Sequence, residues 1–223
     1  YMLINSVRTI NGKTERYSNL GSWCVVPEHR TQSFRLVNHI LRQRDVTFTD
    51  FSAAPHVARL QERLGFVRLD SQRLLMPNVP WKRSVSFVGD HVRIAEILSG
   101  EDLQIFLDHA PLHPIRHLAM FRDAMTCHII YRPHRVRRLP AAEVLHVSNP
   151  QFLLQHYRPL GSELLKRDGA LITVFEERLL VSLPRASARR PGSSVKYYRS
   201  DRGLDAEQID NLYSELMTVP FDS

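Results

Sequence analysis

The chain has 223 residues, of which 43% are apolar and 24% charged, with 9 Gly and 13 Pro. These proportions exclude collagen-like, low-complexity and wholly disordered proteins, and they allow one large or two small compact domains. No run approaches the roughly 18 apolar residues that cross a bilayer, and no secretory signal opens the chain. Cys24 and Cys127 show no CxxC spacing, which favours a reducing, cytoplasmic setting over a disulfide framework or a zinc knuckle.

The charge balance is basic, and the excess is concentrated in two short segments. Lys and Arg total 30 against 23 Asp and Glu, a formal net charge of +7, so an anionic partner has to be considered. The densest segments are 132–138 and 185–196. Both contain Pro, and we interpret them as exposed, charged loops in preference to sites for a phosphorylated ligand, an acidic partner or nucleic acid.

The chain begins with a pattern of two strands and a helix. Strands over 1–9 and 13–26 flank an Asn-Gly dipeptide, which favours a tight hairpin. The 3.6-residue period of Phe34, Val37 and Leu41 then predicts a helix.

A second strand-helix pair follows. The run 46–51 predicts a strand, after which Ser52 is the expected N-cap of a helix that has Pro55 in its first turn. Gly65 is expected to end that helix, and 66–69 to resume an extended run. The order β-β-α-β-α-β indicates an α/β protein whose mixed sheet is crossed by helices.

The remainder repeats this theme without an exact sequence repeat. We expect helices starting near Ser99, over 112–124, over 150–166 and from Asp205, and strands over 126–131, 143–147, 170–175 and 178–183. The order strand, helix, strand over 143–175 parallels the order over 20–51, so a degenerate second copy of one fold is an open alternative. Residues 78–90 are expected to form a linker, or a last strand plus a linker, which divides the chain into regions 1–90 and 91–223.

Residues 19–30, the helix and strand after them, and Leu64-Gly65-Phe66 together resemble the GNAT family of acyl-CoA N-acyltransferases. The family's hallmark is a strand ending in V-x-P-x-x-R, a glycine-rich turn and a helix, followed later by L-G-F. Arg30 and Gly65 keep the family's spacing between these motifs. The resemblance covers residues 1–76. Because the family's first strand and first two helices have no counterpart ahead of Tyr1, we expect the chain to begin inside a domain.

The resemblance implies a site for acetyl-CoA or another acyl-CoA. In the family, backbone N–H groups of the turn and the helix N-terminus hold the coenzyme A pyrophosphate, aided by the helix dipole. Carried over, the pantetheine arm would contact the main chain of Val25 and Val26, and the phosphates that of Arg30, Thr31, Gln32, Ser33, Phe34 and Arg35. The turn here lacks the family's glycines, so hydroxyls and a guanidinium would have to donate instead.

Acyl transfer also needs a base that keeps the acceptor amine neutral and an acid that protonates the leaving thiolate. The family often places a Tyr acid four residues before the Gly of L-G-F, a position that is Gln61 here. Because an amide cannot donate a proton as an acid, we consider Ser52 or a water as the donor. His29 is the candidate base, since its pKa suits the task, and an exposed turn residue is the alternative.

Three histidines, His109, His113 and His117, recur every four residues, as metal ligands on one helical face do. Pro111 and Pro114 interrupt that helix, so we interpret the histidines as scattered and expect no metal cofactor.

These observations predict an α/β, GNAT-like fold and transfer of an acyl group from acyl-CoA to an amine, or a hydroxyl, of a small-molecule or carbohydrate-linked acceptor. A GNAT-fold binding or structural protein that has lost transfer is the second hypothesis, supported by Gln61 and the missing glycines. Nucleic-acid binding through the basic segments is the third, and it predicts a steep salt dependence.

Overall fold

The computed structural model describes residues 2–10, 12–22, 26–54, 57–185, 187–192 and 194–218, apart from five side chains, those of Ser22, Pro27, Arg30, Thr31 and Ser33. The strands are β1 (Met2–Ile10), β2 (Lys13–Ser22), β3 (Val46–Ala53), β4 (Val67–Leu69), β5 (Arg73–Pro77), β6 (Ser86–Val88), β7 (Arg116–Arg122), β8 (Met125–Val136), β9 (Leu139–Val147), β10 (Ile172–Glu176), β11 (Ala188–Arg190) and β12 (Val195–Arg199). The α-helices are α1 (Ser33–Leu41), α2 (Ala58–Arg63), α3 (His91–Ile97), α4 (Gly100–His109), α5 (Pro150–Gln155), α6 (Tyr157–Asp168) and α7 (Glu215–Thr218). Short 3₁₀ helices span Pro27–Gln32, Glu177–Leu179 and Ala206–Gln208.

The chain forms two compact units, each built from two separate segments. Unit 1 consists of Tyr1–Asp70 and Ser194–Glu215, and unit 2 of Ser71–Ser193 and Leu216–Ser223. The sequence-based division, with acyl-CoA binding in region 1–90 and a second α/β region over 91–223, stays a prediction. Of the described helices, the longest is α6 with 12 residues, and none combines the length and apolarity needed to span a membrane.

Unit 1 is organised around a five-stranded sheet in the order β1-β2-β3-β12-β4. The predicted hairpin is confirmed: β1 and β2 pair antiparallel up to Ile10 and Lys13, and Gly12 has a φ of +75°. Asn11 of that turn lies outside the described residues. The core of the unit forms where Val37 of α1 packs with Phe48 of β3, at 2% exposure each.

The predicted cap at Ser52 is wrong, because β3 is longer than expected. Ser52 lies within β3, whose pairing with β12 reaches Ala53, opposite Val195. Helix α2 begins at Ala58 with Val57 in the N-cap position. Pro55 lies outside the described residues. Pairing with a distant strand therefore extends β3 over residues that the local sequence predicts as a helix start.

The predicted terminal helix from Asp205 is also wrong. Asp205 and Gln208 form a reciprocal capping box, but the helix is one 3₁₀ turn, and residues 209–214 are not helical. Their side chains are buried on several sides, Ile209 and Asn211 at 0% exposure. Arg8 Nη2 donates to the Leu212 carbonyl at 2.5 Å, a bond that replaces a helical partner. Tertiary contacts therefore outweigh the amphipathic pattern of this segment.

Unit 2 has a seven-stranded sheet in the order β11-β5-β10-β9-β8-β7-β6. Its core includes Leu118, Leu160 and Leu164, each at 0% exposure. The predicted start near Ser99 is confirmed, since Ser99 is the N-cap residue of α4. The predicted helix after Asn149 is likewise confirmed as α5 and α6, and Asn149 Oδ1 accepts from Phe152 N at 3.0 Å.

Two predictions in unit 2 are wrong. Residues 112–124, expected to be helical, contain β7, which pairs with β6 and β8. Its consecutive residues Leu118, Ala119 and Met120 are all fully buried, as in a strand covered on both faces. Residues 178–183, expected to pair with 170–175, do not form a strand, and β10 pairs instead with β5 and β9.

Both sheets contain the same succession of elements. An antiparallel hairpin, β1-β2 or β8-β9, is followed by a helical crossover and by a strand parallel to the second arm, β3 or β10. A strand from elsewhere in the chain, β12 or β5, then pairs antiparallel with that parallel strand.

Candidate functional site

The parallel strands β2 and β3 of unit 1 separate at their carboxyl ends. Their ladder runs from Arg16 and Val46 to Asn19 and Thr49. Beyond Asn19 and Thr49, β2 continues to Ser22 and β3 to Ala53, and no described residue pair joins them. Unpaired backbone groups inside a fold need other partners. Backbone groups that face this opening therefore need partners from other elements of unit 1.

Glu215, from the start of α7, bridges the two strands at this opening. Its Oε1 accepts from the Phe51 N–H of β3 at 3.0 Å, and its own N–H donates to Asn19 Oδ1 of β2 at 3.2 Å. The side chain of Asn19 in turn donates to Thr49 Oγ1 at 3.1 Å. Glu215 is fully buried, and burial raises the pKa of its carboxyl.

A second buried carboxyl, that of Asp50, lies one residue before Phe51 on β3. Gln61 Nε2 of α2 donates to Asp50 Oδ2 at 2.5 Å, and the Ser52 N–H donates to Asp50 Oδ1 at 3.3 Å. Burial, reinforced by the charge of Glu215, raises the pKa of Asp50 to about 7. Asp50 can therefore both hold and release a proton near neutral pH, as general acids do.

The two predicted catalytic residues lie in different elements. Ser52 is half-buried on β3 and is hydrogen-bonded to Asp50 through its backbone. His29 is exposed on the 3₁₀ helix Pro27–Gln32, where its N–H donates to the Val26 carbonyl at 3.0 Å. Among the described residues no hydrogen bond joins His29 to Ser52 or Asp50. Both roles stay predictions.

The predicted cofactor segment is helical rather than an open turn. The 3₁₀ helix Pro27–Gln32 leads directly into α1 at Ser33, and Gln32 makes no side-chain hydrogen bond to the helix that it precedes. Residues with a Cβ favour right-handed over left-handed backbone angles, whereas glycine adopts both and would allow an open turn. Four of the expected contact residues, Val26, Gln32, Phe34 and Arg35, are exposed. Val25 lies outside the described residues, as do the side chains of Arg30, Thr31 and Ser33.

Asp50 and Glu215 are the site residues that sequence reasoning missed. A weak signal for Asp50 was present, since a carboxylate stands between aromatic residues in the strand Phe48-Thr49-Asp50-Phe51. Nothing local singles out Glu215, because its burial depends on strands that are distant in sequence.

The histidines with metal-ligand spacing do not share a helical face. His109 ends α4, where its Nδ1 lies 2.8 Å from the Ile105 carbonyl, whereas His117 lies on β7. His117 stacks on His128, with 5.3 Å between ring centroids. Burial lowers the pKa of His117 to about 4 and that of His128 to about 2. Within the described ranges no group of three or more His, Cys, Asp or Glu is arranged to hold a metal ion.

No protein-family model matches the chain, and no curated protein matches it. A solved GCN5-related N-acetyltransferase from Anabaena variabilis is similar in structure, with a TM-score of 0.56 and 12% identity over 88% of this chain and 58% of that one. The chain thus spans less than two thirds of that protein's length. A GCN5-related N-acetyltransferase from Kribbella flavida has a TM-score of 0.41 and 10% identity over 83% of this chain and 80% of that one. The first likeness, together with the mixed sheets, confirms the predicted α/β fold of the GNAT type.

Proposed function

We propose that this chain is a GNAT-type acyltransferase that moves an acetyl or other acyl group from acyl-CoA to an amine, or a hydroxyl, of a small-molecule or carbohydrate-linked acceptor. One observation carries the proposal: the opening between β2 and β3 adjoins a buried carboxyl, Asp50, whose pKa of about 7 suits an acid at neutral pH. The fold supports the class of reaction but does not by itself define the chemistry.

The cofactor would follow the chain beyond β2. The pantetheine arm would pass the backbone of Val25 and Val26, and the phosphates would meet the backbone at 30–35, where the N-terminus of α1 contributes its positive dipole. This assigns cofactor binding to region 1–90. Region 91–223 would be a degenerate GNAT-like copy, which the shared succession of hairpin, helix and parallel strand supports. A cytoplasmic location is part of the same proposal, because the sequence has only two cysteines, with no CxxC spacing, and shows no disulfide framework.

The residues of unit 1 supply the proton transfers of the reaction. The acceptor nitrogen attacks the thioester carbonyl carbon, a C–N bond forms, and the C–S bond breaks to release a thiolate. The Asp50 carboxyl gives its proton to this thiolate, and Ser52 is the second candidate donor. The proton released by the nitrogen goes to His29. Glu215 acts on Asp50 as a positioning residue, since its charge keeps the Asp50 carboxyl protonated at higher pH.

Calorimetric titration with acetyl-CoA and with coenzyme A tests the cofactor. We expect saturable binding at micromolar concentrations for the intact chain. Ser33→Asp puts a negative charge at the proposed phosphate position and should weaken coenzyme A binding at least about tenfold. Asn38→Asp is the matched control, because it adds the same charge at an exposed position farther along α1.

Unchanged affinity in Ser33→Asp would contradict the phosphate placement. The absence of binding at millimolar ligand would refute cofactor use altogether. Saturable binding without turnover against an acceptor panel would favour the second hypothesis, a GNAT-fold binding protein, which the amide at Gln61 supports. Turnover that is lost in Asp50→Asn but retained in Ser52→Ala would assign the acid to Asp50.

A further inference from the structure

The two basic segments, far apart in sequence, meet at one cleft of unit 2. The cleft has a volume of about 640 Å³ and is lined by Arg73 of β5, Arg135 of β8, Arg137 of the following turn and Arg190 of β11. His134 also lines it, and apolar side chains such as Ile172 contribute the rest of the wall. This volume falls in the range of small-molecule sites. The expectation that both segments are loops is wrong in part, since β8, β11 and the start of β12 contain many of their residues. Together the segments build a concave, cationic site.

The positive charge of the cleft exceeds the negative charge that faces it. Glu143 lies 3.2 Å from Arg73 but is shared with Arg132, at 2.6 Å, so one carboxylate serves two guanidinium groups. These arginines lower the pKa of Glu143. Within the part of the chain that the structure describes, Arg135, Arg137 and Arg190 form no ion pair. The cleft thus retains at least three cations without a counter-charge.

Arg73 and Arg190 provide a second indication of a missing anion. They stand directly opposite each other in the β5-β11 ladder, an arrangement in which like charges destabilise the strand pair. The Nε of Arg73 is buried and has no hydrogen-bond partner among the described residues. A buried donor without a partner costs free energy. An oxyanion in the cleft would relieve the repulsion between the strands.

We infer that this cleft binds a phosphate monoester carried on an apolar body. A guanidinium presents a planar pair of donors that matches phosphate oxygens, and a dianion can neutralise more than one arginine. The apolar wall beside Ile172 would cover the organic part of the ligand. The inference concerns residues of unit 2 alone and does not rest on the proposed acyl transfer.

Calorimetry of the intact chain with 1-naphthyl phosphate tests this inference. We expect saturable 1:1 binding, with 1-naphthoate at least about tenfold weaker and neutral 1-naphthol without measurable binding. The double variant Arg135→Gln/Arg190→Gln removes two exposed charges from the cleft and should weaken binding about thirtyfold or more. The matched control, Arg138→Gln/Arg185→Gln, removes two exposed charges from the same segments outside the cleft and should bind as the wild type does.

Four results would overturn the inference. They are the absence of binding at millimolar 1-naphthyl phosphate, naphthoate binding as tightly as the phosphate, an equal loss in both double variants, and duplex DNA binding more tightly with a steep salt dependence. Ser33→Asp separates this site from the proposed cofactor site. It should retain full affinity for 1-naphthyl phosphate even where it weakens coenzyme A binding, so either proposal can fail without the other.

Discussion

The buried carboxyl of Asp50 should make unit 1 less stable as the pH rises. Its pKa in the folded chain is about 7 against an ordinary value of 3.8, so between these values the folded state holds a proton that the unfolded state has released. The stability that this proton provides is fully present below the unfolded pKa and is lost as the pH rises through the folded pKa. Three pKa units correspond to about 4 kcal/mol over the whole window.

Asp50→Asn removes this pH dependence while keeping the shape of the side chain. The new amide keeps an oxygen for the Ser52 N–H, and its NH₂ can donate to Gln61 Oε1, which is buried without a partner among the described residues. Most of the stability that the wild type loses through deprotonation of Asp50 is lost above pH 5. The stability of the variant relative to the wild type should therefore increase by about 2–3 kcal/mol between pH 5 and pH 8.

Urea unfolding at the two pH values, followed by tryptophan fluorescence, measures this difference. The chain has 2 Trp, and in a Trp81→Phe background Trp23, which belongs to the sequence of unit 1, is the single reporter. Asp201→Asn is the control, because Asp201 is exposed and should give the same small effect at both pH values. An Asp50→Asn effect that is equal at pH 5 and pH 8 would refute the assignment of a raised pKa.

Single substitutions test the carboxyl pair of unit 1, the core of unit 2 and the cap of α5. Glu215→Gln keeps an oxygen that accepts from the Phe51 N–H but removes the negative charge, so the pKa of Asp50 should fall. The pH dependence of the ¹³C shift of the Asp50 carboxyl measures this pKa. An unchanged titration would contradict the electrostatic effect of Glu215 on Asp50. Leu160→Ala, at a fully buried site of unit 2, should lower the free energy of unfolding in urea by about 2–5 kcal/mol. A decrease under about 1 kcal/mol would contradict this expectation, because it would mean that neighbouring side chains fill the cavity. Asn149→Ala should cost about 0.5–2 kcal/mol through the lost cap of α5, whereas Asn149→Asp should restore most of it.

Local interactions explain the parts of the fold that the sequence predicted well. The hairpin at Gly12, the end of α2 at Gly65 and the cap at Asn149 each depend on residues a few positions apart. Gly12 and Gly65 have φ angles of +75° and +81°, a region that residues with a Cβ avoid. Such local patterns predict a turn, a helix end or a helix cap even when the strands and helices that pack against it are unknown.

The wrong predictions share one cause, which is pairing with distant strands. The local sequence predicts a helix start at Ser52, whereas the strand that pairs with β3, β12, lies about 145 residues later in the chain. Residues 112–124 show spaced apolar positions, but pairing with β6 and β8 places them in a sheet. The segment after Asp205 is amphipathic, yet it is buried on several sides.

Local sequence patterns were enough to predict the α/β class, most of the helices and strands, and the GNAT-like motif. The assembled fold brings Asp50 next to Gln61 and Glu215 in unit 1, and it places Arg73 opposite Arg190 in the β5-β11 ladder of unit 2. A carboxyl acquires its pKa, and an arginine lacks a counter-charge, because of burial and of neighbours that are far away in the chain. The chemistry of both sites is therefore a property of the assembled fold, whereas local sequence is enough for the elements that build it.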